Sequence, residues 1–314
     1  MKNGQSLGAL CVDTAQPNER EEAFQILFQH LSAKDAEPRI ANALEMIRRD
    51  ELDPQGLFVV REKRSILGTI VCQLIPGGSG LVWPPQVREH NDKLFYEDQL
   101  INKGKTWLQN RGTKLAQALL APDEVIFAQP LTRNAFRHIT NLWYMRCKLD
   151  QFPGLPESKA ELTYQTYRNC DRAVFQQTLL RTYEDSKDCP EVNGVRTIDE
   201  IITGHKAQGR HNPDYWWLAS AEGHPVAVLL IAEVAEWQCW DLAYVGVAPE
   251  ARRRGFGKEL TIKALWEACQ AQQTQLTLSV DARNHPALNL YRRLGFEPYD
   301  QRHVYLAIWK KPTG

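Results

Sequence analysis

The hydrophobic positions of this chain follow two periods, and segments of the two kinds alternate along it. Apolar residues that recur every three or four positions predict amphipathic helices, whereas alternating or short continuous apolar runs predict strands. The helical pattern covers residues 19–32, 36–50, 104–121, 172–183, 197–207, 257–272 and 285–295. The strand pattern covers residues 6–13, 56–62, 66–76, 78–87, 137–149, 162–168, 214–235 (two strands around a Glu-Gly-His turn), 239–249, 275–280 and 304–310.

The two halves of the chain repeat one order of elements: a strand, two helices, three strands, a helix, a short segment and a final strand. Local sequence recurs too, since "RGTKLAQALL" (111–120) is similar to the start of the helix at "RGFGKELTIKAL" (254–265). We therefore predict a mixed α/β fold in tandem, with copies at 1–152 and 160–314 joined by the proline-containing stretch 150–162. The first copy is shorter, and we expect it to lack a helix before Phe136. Segment 124–129 fits either a helix or a strand.

Composition narrows the functional classes by exclusion. The chain has 38 Lys plus Arg and 38 Asp plus Glu, so no overall field attracts nucleic acid or an anionic membrane. No apolar run approaches the length of a membrane span, and the first residues lack the apolar core of a signal peptide. The seven cysteines form no Cys-x-x-Cys pair, and no group of residues has metal-ligand spacing. We expect a reduced, cytoplasmic protein without a metal.

Positive charge is concentrated in the turn "VAPEARRRGFGKEL" (247–260), which follows a predicted strand and enters a predicted helix. Glycines at 255 and 257 allow a tight turn, and the unpaired N–H groups of the first helical turn form an anion site. Arginines there oppose the helix dipole unless an anion offsets them. The turn from Arg252 to Lys258 therefore predicts a phosphate site. A solvated basic loop is the alternative.

The turn resembles a signature of the GCN5-related N-acetyltransferases (GNAT), Arg/Gln-x-x-Gly-x-Gly/Ala, with Arg252, Gly255 and Gly257 in the specified positions. A second family element, Asn-x-x-Ala-x-x-x-Tyr-x-x-x-Gly-Phe, is matched between Asn284 and Phe296. The resemblance implies acetyl-CoA as acyl donor and an amine as acceptor. It assigns the pyrophosphate to the turn and the pantetheine arm to the backbone of the preceding strand. The implied donor-binding residues are Val245, Val247, Arg252, Arg253, Arg254, Gly255, Phe256, Gly257, Lys258, Asn284 and Tyr291.

Two residues are candidates for acid–base chemistry. Tyr291 is the candidate acid for the leaving thiolate, because a phenol is neutral at pH 7 and the family's tyrosine lies beside the CoA sulfur; a core-filling tyrosine is the alternative. Asp241, on the strand before the turn, is the candidate base. Glu233, Glu236 or a chain of water molecules are its rivals. Asn284 suits either a helix N-cap or a contact with CoA.

The first copy is predicted to be degenerate. Its "QNRGTKL" segment has one glycine and one arginine, and Leu131 stands where Tyr291 stands in the second copy. This layout resembles tandem-domain acetyltransferases of the mycothiol synthase type in architecture, with the active copy at 160–314. Aromatic residues of the second copy are predicted either to line an acceptor pocket or to pack the sheet: Tyr215, Trp216, Trp217, Trp237 and Trp240.

The sequence thus predicts an acetyl-CoA-dependent N-acetyltransferase in which an amine, expected to be a small molecule, attacks the thioester directly in a ternary complex. Acetylation of a protein N-terminus or lysine, and a non-catalytic CoA-binding module, are the alternatives. A dinucleotide-binding oxidoreductase is disfavoured because Leu260 replaces the third glycine of its fingerprint. The expected partners are acetyl-CoA and the acceptor, with no nucleic acid and no membrane, in a monomer or homodimer.

Overall fold

The computed structural model describes residues 11–63, 65–150, 162–234 and 239–309. The chain forms two compact units, which we call unit 1 and unit 2. Unit 1 comprises Met1–His138 with His303–Lys311, and unit 2 comprises Ile139–Arg302 with Pro312–Gly314. The predicted connection at 150–162 and the start of the first predicted strand lie almost entirely outside the described residues.

Unit 1 is a six-stranded mixed sheet with helices. Its strands follow the order β1-β2-β3-β4-β5-β12, and the last strand contributes only its end, His303–Ile308, paired antiparallel with β5. The strands are β1 Cys11–Thr14, β2 Leu57–Glu62, β3 Ser65–Ile75, β4 Ser79–Val87, β5 Leu115–Leu120 and β12 Glu297–Ile308. The helices are α1 Arg20–Leu27, α2 Ala33–Arg48, α3 Lys93–Asn110 and α4 Ala128–Arg133.

Unit 2 is also a six-stranded mixed sheet, with the order β6-β11-β10-β9-β8-β7. The strands are β6 Arg137–Lys148, β7 Thr163–Thr166, β8 Trp216–Ala221, β9 His224–Val234, β10 Cys239–Val247 and β11 Gln275–Asp281. The helices are α5 Arg172–Tyr183, α6 Ile198–Lys206, α7 Phe256–Gln270 and α8 His285–Arg293. The mixed α/β prediction is confirmed.

The last strand of each half completes the sheet of the unit built mainly from the other half. Strand β6, which ends the first half of the sequence, pairs antiparallel with β11 from Leu142 to Lys148. Strand β12, which ends the second half, pairs with β5. The predicted boundaries at 152 and 160 separate the two halves of the sequence. The compact units do not follow these boundaries, because β6 belongs mainly to unit 2 and the end of β12 belongs to unit 1. Periodicity alone does not distinguish the two arrangements, because it carries no information about which edge a strand joins.

The helix predicted over 104–121 is wrong in its second part. Helix α3 ends at Asn110, Gly112 adopts φ +80°, and residues 115–120 form β5, which pairs parallel with β4. Leu, Ala and Gln favour helices locally, but pairing inside a sheet overrides that preference. Residues 111–120 are therefore not the counterpart of the α7 start. By order of elements, that counterpart is the start of α3.

The helix expected to be missing before Phe136 is present. Residues 122–127 form a 3₁₀ helix, which settles the ambiguous segment, and α4 follows it directly. Leu131 in α4 and Tyr291 in α8 occupy matching helix ends. Phe136 N–H donates to the Leu131 carbonyl at 3.0 Å, just as Phe296 N–H donates to the Tyr291 carbonyl at 3.0 Å. The predicted equivalence of these two positions agrees with this shared geometry.

Helices pack on both faces of the sheet of unit 2, and each face has its own core. On one face, α7 and α8 contribute Leu260, Leu265 and Leu288 to a cluster with Leu278 of β11. On the other face, α5 and α6 pack Phe175 and other apolar side chains against Trp216 and Leu230. Burying apolar area on both faces fixes the strands between them. The site described next lies where two of these strands separate.

Candidate active site

Strands β10 and β11 pair only at their beginnings. The parallel register joins Cys239–Asp241 to Gln275–Thr277 and extends no further, whereas β10 stays paired with β9 as far as Val247. The second half of β10 therefore turns one edge of backbone N–H and C=O groups toward the gap. Free groups on such an edge can pair with an extended ligand as with an added strand.

A cavity of about 500 Å³ lies in this gap. It extends from β10 and β11 to the start of α7, to one side of α8, and to the loop between α5 and α6. Its lining residues are Thr182, Asp185, Ser186, Lys187, Asp188, Leu242, Ala243, Tyr244, Val245, Gly246, Val247, Ala251, Arg252, Arg253, Gly255, Phe256, Gly257, Ser279, Val280, Asn284, Pro286, Ala287, Leu290 and Tyr291. Residues of the glycine turn and residues of the second family element both line this one cavity.

The glycine turn forms part of the cavity wall. Gly255 is the N-cap of α7 and adopts φ +89°, and Arg253 adopts φ +65°, so the backbone reverses sharply before the helix. The first N–H groups of α7 have no partner within the helix. A Cβ built at Gly257 lies 3.8 Å from Leu290, which is ordinary contact. The turn therefore presents N–H donors and a helix N-terminus to the cavity, as an anion site requires.

The three arginines of the turn have three different environments. The Arg252 guanidinium donates to backbone carbonyls at Val247 (3.0 Å) and Thr182 (3.2 Å), among others, and so fastens β10 to the end of α5. Arg254 pairs with Glu222, lies over the Phe256 ring and does not line the cavity. Arg253 lines the cavity and has no ion pair among the described residues. Arg253 is therefore the arginine most available to an anion.

Charge reversal at these two neighbours is expected to separate their roles. Arg253→Glu should weaken acetyl-CoA binding at least about tenfold, because it places a negative charge in the cavity beside a polyanion. Arg254→Glu should change the affinity by less than about threefold, since its charge is exposed and already paired with Glu222. Isothermal titration calorimetry measures both. Equal losses in the two variants would contradict this assignment.

Two further residues near the turn differ in their relation to the cavity. Lys258, in the first turn of α7, does not line the cavity. Gly246 does line it, but a Cβ there would lie 2.6 Å from the Thr182 side chain. A glycine is thus needed at 246 because α5 approaches the strand closely there. Val245 and Val247 line the cavity beside it.

Tyr291 lies in the wall of the cavity. Its side chain is 6% exposed and packs against the Phe296 ring at 5.7 Å. Burial, with smaller contributions from the Asp188 carboxylate and Tyr244, raises the pKa of the Tyr291 phenol above its usual value. The phenol is therefore neutral at physiological pH and able to donate a proton. Its role as the acid stays a prediction.

Asn284 caps α8 and also lies in the wall of the cavity. Its side chain accepts a hydrogen bond from the Ala287 N–H at 3.4 Å and caps α8, and the residue also lines the cavity. A cap at this position fixes the start of the helix that carries Tyr291. The N-cap role is thus observed, and the contact with CoA remains a prediction.

Asp241 does not line the cavity that Tyr291 lines. It lies at the last paired position of β10, where its Oδ1 accepts a hydrogen bond from Thr277 Oγ1 at 2.6 Å. Burial raises the pKa of Asp241, and the bond from Thr277 acts in the opposite direction. A register shift follows between Asp241 and Tyr244, so simple alternation does not place Asp241 on the face of Val245.

Of the two carboxylates named as alternatives to Asp241, the structure describes only Glu233. Glu233 accepts a hydrogen bond from Asn212 at 3.2 Å and lies outside the cavity. Glu236 lies outside the described residues, as does Trp237. Trp216, Trp217 and Trp240 are buried in the cores of unit 2, which agrees with a packing role rather than an acceptor pocket. Tyr215 packs against Trp240 at 4.2 Å.

The loop between α5 and α6 supplies cavity residues that no sequence pattern indicated. Asp185, Ser186, Lys187 and Asp188 line the cavity opposite α7 and α8. These residues belong to a polar loop, and a polar loop has no periodicity that would distinguish a lining residue from a solvated one. Asp188 is the loop carboxylate whose charge acts on Tyr291.

Unit 1 lacks the corresponding turn. The residues before α3, "REHND" (88–92), contain no glycine, and its N-cap Asp92 has a negative φ. At the other matching position, Leu131 is fully buried and carries no proton donor. The degenerate first copy that we predicted is consistent with both features, although the segment on which we based the comparison was not the right one.

Two further features of the described residues bear on other classes of function. Within the described ranges, no helix is long and apolar enough to cross a membrane. Over the same residues, no group of three or more His, Cys, Asp or Glu side chains could hold a metal ion.

Part of this chain is similar in sequence to proteins of one family. Residues 178–296 match the sequence model of the Acetyltransferase (GNAT) family. Mycothiol acetyltransferase of Streptomyces griseus subsp. griseus is 28% identical over 185 residues, which cover 57% of this chain and 56% of that protein. The chain thus spans about half the length of that curated relative.

Two solved structures share the fold across nearly the whole chain. A GCN5-related N-acetyltransferase from Sphaerobacter thermophilus aligns with a TM-score of 0.62 and 18% identity over 96% of each chain. A tandem GNAT protein from the clavulanic acid biosynthesis pathway aligns with a TM-score of 0.53 and 17% identity, over 96% of this chain and 98% of that one. The predicted tandem fold is therefore confirmed.

Proposed function

We propose, on the premise that residues 178–296 belong to the GNAT acetyltransferase family, that this chain is an acetyl-CoA-dependent N-acetyltransferase acting on a small-molecule amine. The observation that carries the proposal is the gap between β10 and β11. It joins a glycine turn at a helix N-terminus to a buried neutral tyrosine through one cavity of about 500 Å³. Such a shape suits a long ligand with phosphates at one end and a reacting group at the other.

The lining residues fit acetyl-CoA in chemistry as well as in shape. The start of α7, with Gly255, Gly257 and Arg253, would hold the pyrophosphate through N–H groups, the helix dipole and one cation. The unpaired edge of β10 from Val245 to Val247 would hold the amide groups of the pantetheine arm by backbone pairing. Acetyl-CoA supplies an activated acyl group as a thioester.

The groups that line the cavity suggest a role for each in acetyl transfer. The backbone edge of β10 offers an N–H donor for the oxygen that gains charge when the thioester carbonyl is attacked. Tyr291 is buried and neutral, so it donates a proton to the departing sulfur. Among the described residues, neither Cys239 nor Cys269 lines the cavity, which favours direct attack by the amine over an acyl-enzyme.

The name of the relative favours a small acceptor. The Streptomyces protein is named for acetylation of mycothiol, a small molecule, and the second structural neighbour belongs to a biosynthetic pathway for one. We extend only the class of acceptor to this chain.

An acceptor screen tests the proposal. Purified protein is first titrated with acetyl-CoA by calorimetry and then incubated with acetyl-CoA and a panel of small amines, with acetylated products detected by mass spectrometry. We expect micromolar binding and transfer to at least one small amine. Binding without transfer to any amine would favour a non-catalytic CoA-binding module, and transfer only to peptides would favour a protein acetyltransferase. No binding at all would overturn the assignment of the cavity.

A further inference from the structure

Asp188 lies in the cavity with Tyr291, and no sequence motif or family element accounts for it. It is part of the loop that connects α5 to α6, on the opposite side of the gap from α7 and α8. Its Oδ1 accepts a hydrogen bond from the Asp281 N–H at 2.8 Å, and its own N–H donates to Ser186 Oγ at 3.1 Å. No hydrogen bond to its second oxygen is found among the described residues. That oxygen is thus available to a ligand in the cavity.

The loop that carries Asp188 is held by a second, fully buried carboxylate. Asp281, at the end of β11, accepts hydrogen bonds from the Cys189 N–H at 3.0 Å, from Thr140 at 2.6 Å and from Arg283 at 2.7 Å. Arg283 in turn pairs with Glu191 of the same loop at 2.6 Å. These bonds fasten the chain on the far side of Asp188 to β11. The carboxylate therefore points into the cavity from a rigid support, which a binding or catalytic group needs.

The charged and titratable groups around Asp188 come from each neighbouring element. They are Tyr183 of α5, Tyr244 of β10, Asp281 of β11, Tyr291 of α8, Arg283, and Asp185, Lys187, Cys189 and Glu191 of its own loop. The three tyrosines are neutral phenols. Arg283 already pairs with Asp281 and Glu191. Asp188 thus lacks a dedicated cation, and a half-buried carboxylate without one is stabilised by a cationic ligand.

Burial raises the pKa of Asp188 to about 6, while the hydrogen bond from the Asp281 N–H acts in the opposite direction. At physiological pH the group is therefore ionised, but it accepts a proton far more readily than an exposed aspartate. A base of that strength is suited to proton transfer near neutrality. Asp241, the base expected from sequence, lies outside the cavity and is bonded to Thr277.

We propose that Asp188 binds the ammonium group of the acceptor in the cavity and takes one proton from it, so that the free amine can attack the thioester. This inference rests on the proposed acetyltransferase function. It makes Asp188 a catalytic residue, and it identifies the acceptor as a cation at the pH of the reaction. Asp281, Arg283 and Glu191 are positioning residues that hold its loop.

The proton and electron transfers balance as follows. The ammonium loses one proton to the Asp188 carboxylate, and the amine lone pair forms the new N–C bond. The C–S bond breaks with its electron pair going to sulfur, which takes a proton from Tyr291. The nitrogen loses its second proton to the Tyr291 phenolate, which restores the phenol. Asp188 then releases its proton to solvent, so that one amide, one thiol and one proton are formed.

The expected pH profile follows from the requirement that Asp188 is ionised when it acts as a base. Asp188 must be ionised in the free enzyme, so kcat/KM should fall about tenfold per pH unit below about pH 6 and be level above it. Asp188→Asn should remove this acidic limb and lower kcat/KM at pH 7.5 by about 100-fold. Asp199→Asn, an exposed change on α6, should leave both the limb and the rate unchanged. If Asp188→Asn keeps the limb and Asp241→Asn removes it, the base is Asp241 and the proposal is wrong.

A binding experiment tests the same inference without a known acceptor. S-(2-aminoethyl)-CoA carries an ammonium two carbons from sulfur, and S-propyl-CoA is its uncharged counterpart of equal length. At pH 7.5 the wild-type protein should bind the charged conjugate at least about tenfold more tightly. Asp188→Asn should abolish that preference, and Asp199→Asn should keep it. The same preference in wild type and Asp188→Asn would overturn the proposal. If neither conjugate binds the wild type, the CoA site itself is wrong, and the inference falls with it.

Discussion

Replacing Gly257 with tryptophan is expected to remove most acetyl-CoA binding, with an affinity at least about 100-fold below that of the wild type. Gly257 lines the cavity at the second position of α7, where a Cβ would lie 3.8 Å from Leu290 of α8. An indole there would occupy the space at the start of α7 that we assign to the phosphates. It would also cover the N–H groups at the helix start. Calorimetric titration with acetyl-CoA measures the loss.

Gly257→Ala is the matched control for this substitution. A Cβ at this position lies 3.8 Å from Leu290 and in a helical backbone, so alanine should keep the affinity within about threefold and should not lower the melting temperature. Circular dichroism checks that the tryptophan variant remains folded. A folded Gly257→Trp protein with wild-type affinity would show that the donor does not occupy the start of α7.

Replacing Tyr291 with phenylalanine is expected to lower kcat by about 100-fold while the dissociation constant of acetyl-CoA stays within about twofold. The substitution removes only the hydroxyl, and the ring keeps its packing against Phe296 at 5.7 Å. Because the phenol is buried and neutral, the proposed function assigns it the proton that the leaving sulfur takes up. Steady-state kinetics with the acceptor found by the screen, together with calorimetry, separates the two effects.

Tyr164→Phe provides the control for the loss of a partly buried tyrosine hydroxyl. The Tyr164 hydroxyl donates to Glu259 at 3.2 Å, and neither residue lines the cavity. This variant should lose some stability, about 1 kcal/mol for one hydrogen bond, but keep its kcat. If Tyr291→Phe turns over at the wild-type rate, Tyr291 is a packing residue and the thiolate leaves without its help. If both variants slow equally, the effect reflects stability and not chemistry.

Much of the site in unit 2 was predictable because it is local in sequence. The turn at Arg252–Gly257 and the element from Asn284 to Phe296 each contain their own spacing, and the helices that carry them begin at Phe256 and His285. A glycine that must adopt a positive φ, such as Gly255, or an N-cap, such as Asn284, is set by the chain within a few residues. Such features can be read without knowing the fold.

The predictions that were wrong concern features that depend on contacts between residues distant in sequence. Residues 115–120 have helix-forming composition, yet they form β5 because β4 and β12 pair with them. Arg254 has the same charge as Arg253 and lies beside it, but one pairs with Glu222 on the surface while the other lines the cavity. The register shift after Asp241 moves that carboxylate out of phase with Val245. Periodicity and composition carry no information about strand pairing, ion pairs between distant residues or register shifts.

The sequence by itself therefore determined the class of fold, the duplication, the glycine turn before α7 and the helix with its tyrosine, because short-range spacing encodes all of them. Only the tertiary structure decided which carboxylates and which arginines line the cavity, and which sheet each last strand joins. Asp188 lies 103 positions before Tyr291 in a loop without any pattern. Its place in the site depends on the bonds of Asp281 to that loop, and bonds across such a distance have no signature in one sequence.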